Sequence, residues 1–189
     1  MSSLRSATAP PRSAGAKLMT SLDGAPTTVC VQHSSSGYQG AEHEGPMKVF
    51  INTDGAARPP IPGPAGAGFV ILFEGDAGWD SVVGAIALHG CSHHEAEYEA
   101  AIQALKVASE LGATEALVRC DSLVMVQQVN DEAQVRVPRL IRLAERLRTE
   151  IEKFDSFEIV WVGRRNNKTA DLLSKVGLSK ADLALEAAG

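Results

Sequence analysis

From Met47 onward the hydrophobic period of this chain switches from two residues to about 3.6 and back, which confines it to an α/β domain. Lys48–Asp54 alternates as a strand does, with Phe50 and Asn52 on one face and Val49 and Ile51 on the other. ARPPIPGPAG follows as a turn region. Ala67–Phe73 and Ser81–Leu88 read as two further strands, joined as a hairpin near Gly75–Gly78. His93–Leu111 then takes the helical period, and Leu111-Gly112-Ala113 supplies its stop. Glu115–Asp121 is a short apolar strand followed directly by a helix over Ser122–Asn130. A helix from Pro138 to about Phe154, a strand over Phe157–Val162 and a helix over Asn167–Val176 complete the order β-β-β-α-β-α-α-β-α.

Within that pattern four carboxylates stand out. Asp54 and Asp121 each close an apolar strand. If those strands are parallel neighbours, both emerge at the carboxyl edge where open sheets hold ligands. Each also fits an ordinary turn or helix cap, and Asp121 before Ser122 fits a cap well. At ~100° per residue, Glu95, Glu99, Gln103, Lys106 and Glu110 share one side of the His93–Leu111 helix. Glu97 falls opposite, with Ala101, Ala104 and Ala108, so it points into the packed interior. A carboxylate there must be paired, protonated, metal-bound or eased by the helix dipole. Asp171 shares a helix side with Asn167, Ser174 and Lys175, where solvation is the ordinary outcome and Asn167 is a ready N-cap. Gathering all four acids requires positive charge between them. Paired divalent metals are the simplest source, and they point to phosphodiester cleavage.

Composition sets bounds on this reading. The 189 residues suit one domain with an appendage, and no apolar run approaches the ~20 residues of a membrane span. Cys30, Cys91 and Cys120 show no paired spacing, which favours a reducing compartment and argues against a disulfide framework or a zinc site. The net charge of −5 lowers the expectation of tight polyanion binding, although local charge outweighs the sum. Residues 1–46 are rich in Ser, Ala, Gly and Pro without either period and are expected to be disordered. Arg5, Arg12 and Lys17 give their start a faint likeness to an organelle transit peptide. The plainer alternatives are an unstructured tail or an extension upstream of a start at Met47. Residues 179–189 are expected to form a C-terminal tail.

The strings TDGAARPPIPGPAGAGFVI, HHEAEYEAAIQAL, CDSLVMVQQVN and VGRRNNKTADLLSKVGL together resemble the type 1 ribonuclease H family, over Met47 to Leu178. The D-G-A opening, A-E-Y, D-S and N-x-x-A-D stand in that family's order and approximate spacing. The resemblance implies a ribonuclease H-like, five-stranded mixed sheet flanked by helices. Its first three strands are antiparallel, and its fourth and fifth run parallel to the first. It makes Asp54, Glu97, Asp121 and Asp171 the metal-binding catalytic acids. They would hold two Mg²⁺ ions, with Mn²⁺ as the alternative, roughly 4 Å apart. The implied partner is an RNA–DNA hybrid whose RNA strand is cut to leave 5′-phosphate ends, with RNA sensed through its 2′-hydroxyls. A cytoplasmic monomer is expected. The rivals are a structure-specific DNA nuclease on the same fold and a non-catalytic binding module.

Substrate contacts implied by the same resemblance are Gly55, Ala56 and Asn167, with His93 and His94 where relatives often carry T-N-N. Some members have a histidine in the loop before the last helix; here Arg164 and Arg165 stand in WVGRRNN. The basic protrusion of larger members has no counterpart in DEAQVRVPR. Arg139, Arg142 and Arg146, at i, i+3 and i+7 on one helical stripe, are candidate substitutes for DNA-phosphate contact, a solvated face being the alternative.

Overall fold

Alternation places Val49, Ile51 and Thr53 on the covered side of the first strand after Met47, all three fully buried, while Phe50 and Asn52 on the other face are half-buried. The computed structural model describes residues 16–20, 26–32, 45–75 and 78–188. Its strands are β1 (Ala16–Thr20), β2 (Pro26–Gln32), β3 (Lys48–Ala57), β4 (Gly63–Gly75), β5 (Gly78–Cys91), β6 (Glu115–Cys120) and β7 (Ser156–Trp161). Its helices are α1 (His93–Glu110), α2 (Leu123–Val129), α3 (Pro138–Ile151) and α4 (Lys168–Ala188), with one 3₁₀ turn at Arg164–Asn166.

The heart of the sheet is five strands in the order β5-β4-β3-β6-β7. The first three in sequence are antiparallel hairpin partners, and β6 and β7 run parallel to β3, as expected. This is the ribonuclease H-like fold. Two details differ from the sequence reading. Asp54 does not follow its strand, because β3 continues to Ala57 against β4. The parallel ladder to β6 stops at Thr53↔Cys120, so Asp54 sits where its neighbour on that side has just ended. The expected C-terminal tail is instead the far half of α4, which runs unbroken to Ala188. Its SKADLALEAA stretch is made of helix formers, Ala181 is fully buried, and Asp182 pairs with Arg58 at 2.5 Å.

The disorder expected for residues 1–46 is likewise corrected in part. β2 lies along β5, with Thr27↔Ile86 through Gln32↔Ser81, and β1 lies along β2. Thr27, Thr28, Val29 and Val31 are β-branched, and β5 would otherwise end the sheet with unpaired backbone groups. The rest of 1–44 lies outside the described residues.

Helices cover the sheet on both faces. α1 packs on β3, β4 and β6 and carries α3 on its back; α4 packs on β4, β5 and β3 from the opposite side. Glycines allow both approaches. A Cβ at Gly55 would lie 2.3 Å from the Glu97 backbone nitrogen, and one at Gly68 would lie 2.3 Å from the Ser174 nitrogen. The core between sheet and α1 holds Phe69, Ile71, Tyr98, Ile102 and Leu105, all essentially inaccessible to solvent. Each such side chain contributes about 2 kcal/mol through removal from water.

Candidate active site

Four elements deliver the four acids. β3 carries Asp54, α1 carries Glu97, the end of β6 delivers Asp121, and the first turn of α4 carries Asp171. Glu97 is placed by two local devices. Ser92 caps α1 through a reciprocal box with Glu95, fixing where the helix begins. The bare Cα of Gly55 then lets the backbone at Ala96–Glu97 rest on β3 beside Asp54.

Asp54 is 3% exposed. Burial pushes its carboxyl up to about 7, helped by the negative charges of Glu97, Asp121 and Asp171 and opposed by a hydrogen bond from Ser174 Oγ to Oδ2. The fully buried Ser174 hydroxyl also lies 2.9 Å from the Asp171 backbone carbonyl, so its one proton is shared between the Asp54 carboxyl and the first turn of α4. Glu97 is 2% exposed and is likewise raised by burial, an effect that His93 opposes. His93 Nε2 lies 3.3 Å from Glu97 Oε1, and the Cys120 thiol donates to Oε2 at 3.8 Å. The Glu97 hydrogen bond raises the His93 imidazole above its ordinary range.

Asp121 is partly exposed. Asn167 Nδ2 donates to its Oδ1 at 3.1 Å, and Trp161 Nε1 donates to its backbone carbonyl at 3.2 Å. Asp171 differs from the others. Lys175 Nζ and Arg164 reach its two oxygens at 2.6 and 2.7 Å, and the two cations, Lys175 first, hold its carboxyl below the usual range. Ligand atoms of Glu97, Cys120 and Asp121 lie within 4.8 Å of one another. A set of hard carboxylate oxygens, two of them on acids with raised proton affinity, suits a divalent cation, which replaces the protons that burial and, to a lesser degree, mutual repulsion would otherwise recruit.

The other candidate residues fall into three groups. Gly55 is buried under α1, so its role in the structure is close packing, and Ala56 beside it is half-buried. His94 is exposed at the start of α1, its ring edge-on to His93, and Arg164 is exposed over Asp171. Asn167 is only 1% exposed, and its amide is committed internally. Besides Asp121, its Nδ2 donates to the Thr53 carbonyl at 2.8 Å, and its Oδ1 accepts from Asn52 Nδ2 at 3.0 Å. The arginine stripe divides. Arg139 bonds Glu95 and the Gly90 carbonyl, each at 2.7 Å, and Arg146 pairs with Glu99 at 2.6 Å. Only Arg142 of the three is exposed without an ion pair among the described residues. α3 therefore covers the start of the acidic side of α1, where Glu95 is buried, while Glu110 at the far end stays exposed.

Ser174 and Cys120 went unread as site residues. Ser174 was visible on the Asp171 side of its helix, three residues on, but nothing local names a partner 120 residues away. Cys120 precedes Asp121 at a position whose alternation turns it toward Glu97.

The family described as reverse transcriptase-like matches residues 52–177. The bifunctional protein Rv2228c of Mycobacterium tuberculosis is 34% identical over 135 residues, which cover 71% of this chain and 36% of that protein. The chain therefore spans about a third of the length of this relative. Ribonuclease HI of Halobacterium salinarum is 33% identical over 134 residues, covering 71% of this chain and 66% of that protein. Among solved structures, the N-terminal RNase H domain of the same mycobacterial protein superposes with a TM-score of 0.67 at 32% identity, covering 74% of this chain and 99% of that one. LC11-RNase H1 in complex with an RNA/DNA hybrid gives 0.63 at 30% identity, covering 70% and 98%.

Proposed function

Because the chain belongs to the reverse transcriptase-like family through an RNase H-like domain, we propose that it is a metal-dependent endonuclease hydrolysing the RNA strand of RNA–DNA hybrids. The observation that carries this reading is the convergence of Asp54, Glu97, Asp121 and Asp171, brought from four elements into mutual electrostatic range. Arg164 and Lys175 offset Asp171 and His93 offsets Glu97, which leaves the buried Asp54 for a bound cation to relieve.

Asp54, Glu97, Asp121 and Asp171 would hold Mg²⁺, which when bound neutralises the phosphodiester and makes water nucleophilic near neutral pH. The protein's own share is positioning. Asn167 and Trp161 fix the Asp121 segment, Ser174 orients Asp54, and the Ser92 cap sets Glu97. Arg164 and Lys175 balance Asp171 and lie where they can meet phosphate once that carboxylate turns to a cation. His93 and His94, at the exposed start of α1, are the contacts suited to reading ribose 2′-hydroxyls. Cleavage on the 5′ side of phosphate leaves 5′-phosphate and 3′-hydroxyl ends.

The test is a labelled RNA–DNA hybrid beside a DNA duplex of the same sequence, each with Mg²⁺ and with chelator. The hybrid is expected to be cut only with Mg²⁺ and the duplex to survive. Equal cleavage of both favours a structure-specific DNA nuclease, and binding without cleavage favours a non-catalytic module.

A further inference from the structure

Cys120 brings a chemistry that the carboxylates lack. It is the last residue of β6, fully buried, and directly beside Thr53 of β3 in the ladder. Its sulfur donates to Glu97 Oε2 at 3.8 Å and accepts from the Ser122 amide at 3.3 Å. That sulfur, one Glu97 oxygen and one Asp121 oxygen lie within 4.8 Å of one another, close enough for a single ion to gather them. The neighbouring Thr53 hydroxyl is completely buried, finds no well-aligned hydrogen bond and has the Cys120 sulfur as its polar neighbour, while burial pushes the thiol well above its ordinary value, so an incoming ion must displace its proton. On the solvent side, His93 Nε2 stands 3.3 Å from Glu97 Oε1 and orients that carboxylate.

Sulfur and two carboxylates make a poor cage for Mg²⁺, which takes oxygen ligands, but suit a borderline cation such as Zn²⁺. We infer that Glu97, Cys120 and Asp121, supported by His93, form an inhibitory site for a thiophilic divalent cation. Binding exchanges the thiol proton for a sulfur–metal bond, the proton leaves to solvent, and no electrons are transferred. The consequence for activity rests on the proposed function: an ion held there occupies two of the four acids needed for hybrid cleavage.

The test uses the full chain carrying Cys30→Ser and Cys91→Ser, so that Cys120 is the sole thiol. Cd²⁺ is titrated while the ultraviolet thiolate–metal charge-transfer band is followed, and Zn²⁺ is then added as competitor. A saturable band that Zn²⁺ abolishes is expected. Adding Cys120→Ser or Cys120→Ala should remove the band and weaken Cd²⁺ binding by roughly tenfold or more. Circular dichroism on both variants separates loss of a ligand from loss of fold. No band in the folded sole-thiol protein, or an unchanged band without Cys120, overturns the inference. In parallel, Zn²⁺ should inhibit Mg²⁺-dependent hybrid cleavage at lower concentration with Cys120 present than without it. A saturable Cd²⁺ band in a protein that cuts no hybrid sustains the metal site and defeats the functional reading alone.

Discussion

Asp54 concentrates the electrostatic tension of the molecule. A buried carboxyl raised to about 7, against an ordinary value of 3.8, binds a proton more tightly folded than unfolded. Its contribution to stability is therefore fully present below the unfolded value and is lost as pH rises through the folded one. With metal chelated, the melting temperature should fall between about pH 4 and pH 7, and Asp54→Asn should flatten that fall and raise the melting temperature at pH 8 by several degrees. The same variant should lose hybrid cleavage; normal cleavage would remove Asp54 from the mechanism. Glu97 was legible because a charge on an apolar helix face contradicts its surroundings, and Asp54 because it closes an apolar strand. Asn167 was legible only as a cap or a substrate contact, since its partners Asn52, Thr53 and Asp121 are distant in sequence. Asn167→Ala should leave buried polar groups unmatched, destabilise by about 2 kcal/mol and lower cleavage through a displaced Asp121, as melting and kinetics would reveal.

α1 and α3 are joined by the arginines that the sequence offered to nucleic acid. With Arg139 on Glu95 and Arg146 on Glu99, the stripe holds one helix on another. Arg146→Ala should cost about 1 kcal/mol in denaturant unfolding and leave the salt dependence of hybrid cleavage unchanged. A flattened salt dependence would restore its phosphate role. The helical period correctly placed both partners on single faces, but it could not tell a face turned to water from one turned to another charged helix. The contact between α1 and β3 is stricter. Gly55→Ala would drive a methyl into the Glu97 backbone, which no rotamer change relieves. We expect a loss of about 3 kcal/mol and greatly reduced cleavage, measured on the fraction that folds.

The whole molecule tests whether the sheet needs its added edge. A chain beginning at Met47 keeps β3–β7, α1–α4 and all four acids, and should fold and cut hybrid; its bare β5 edge should lower the melting temperature and promote association, visible by light scattering. Unchanged stability would show β1 and β2 to be dispensable. The sequence alone determined the succession of strands and helices from Met47 on, the β4–β5 hairpin and α1, because these rest on local period and turn chemistry; it reached the five-stranded arrangement and the grouping of the four acids only through the family resemblance that its short motifs carry. It misplaced the far half of α4 and the strands before Met47, whose weak patterns became structure through a packing surface on β4 and β5 and an open edge at β5. Only the tertiary structure decided that Asn167 faces inward, that two of the three arginines pair with α1, that Ser174 bonds Asp54, and that Cys120 lies against Glu97. Hydrogen bonds and ion pairs depend on where two distant backbones come to rest, and no periodicity within either one encodes that distance.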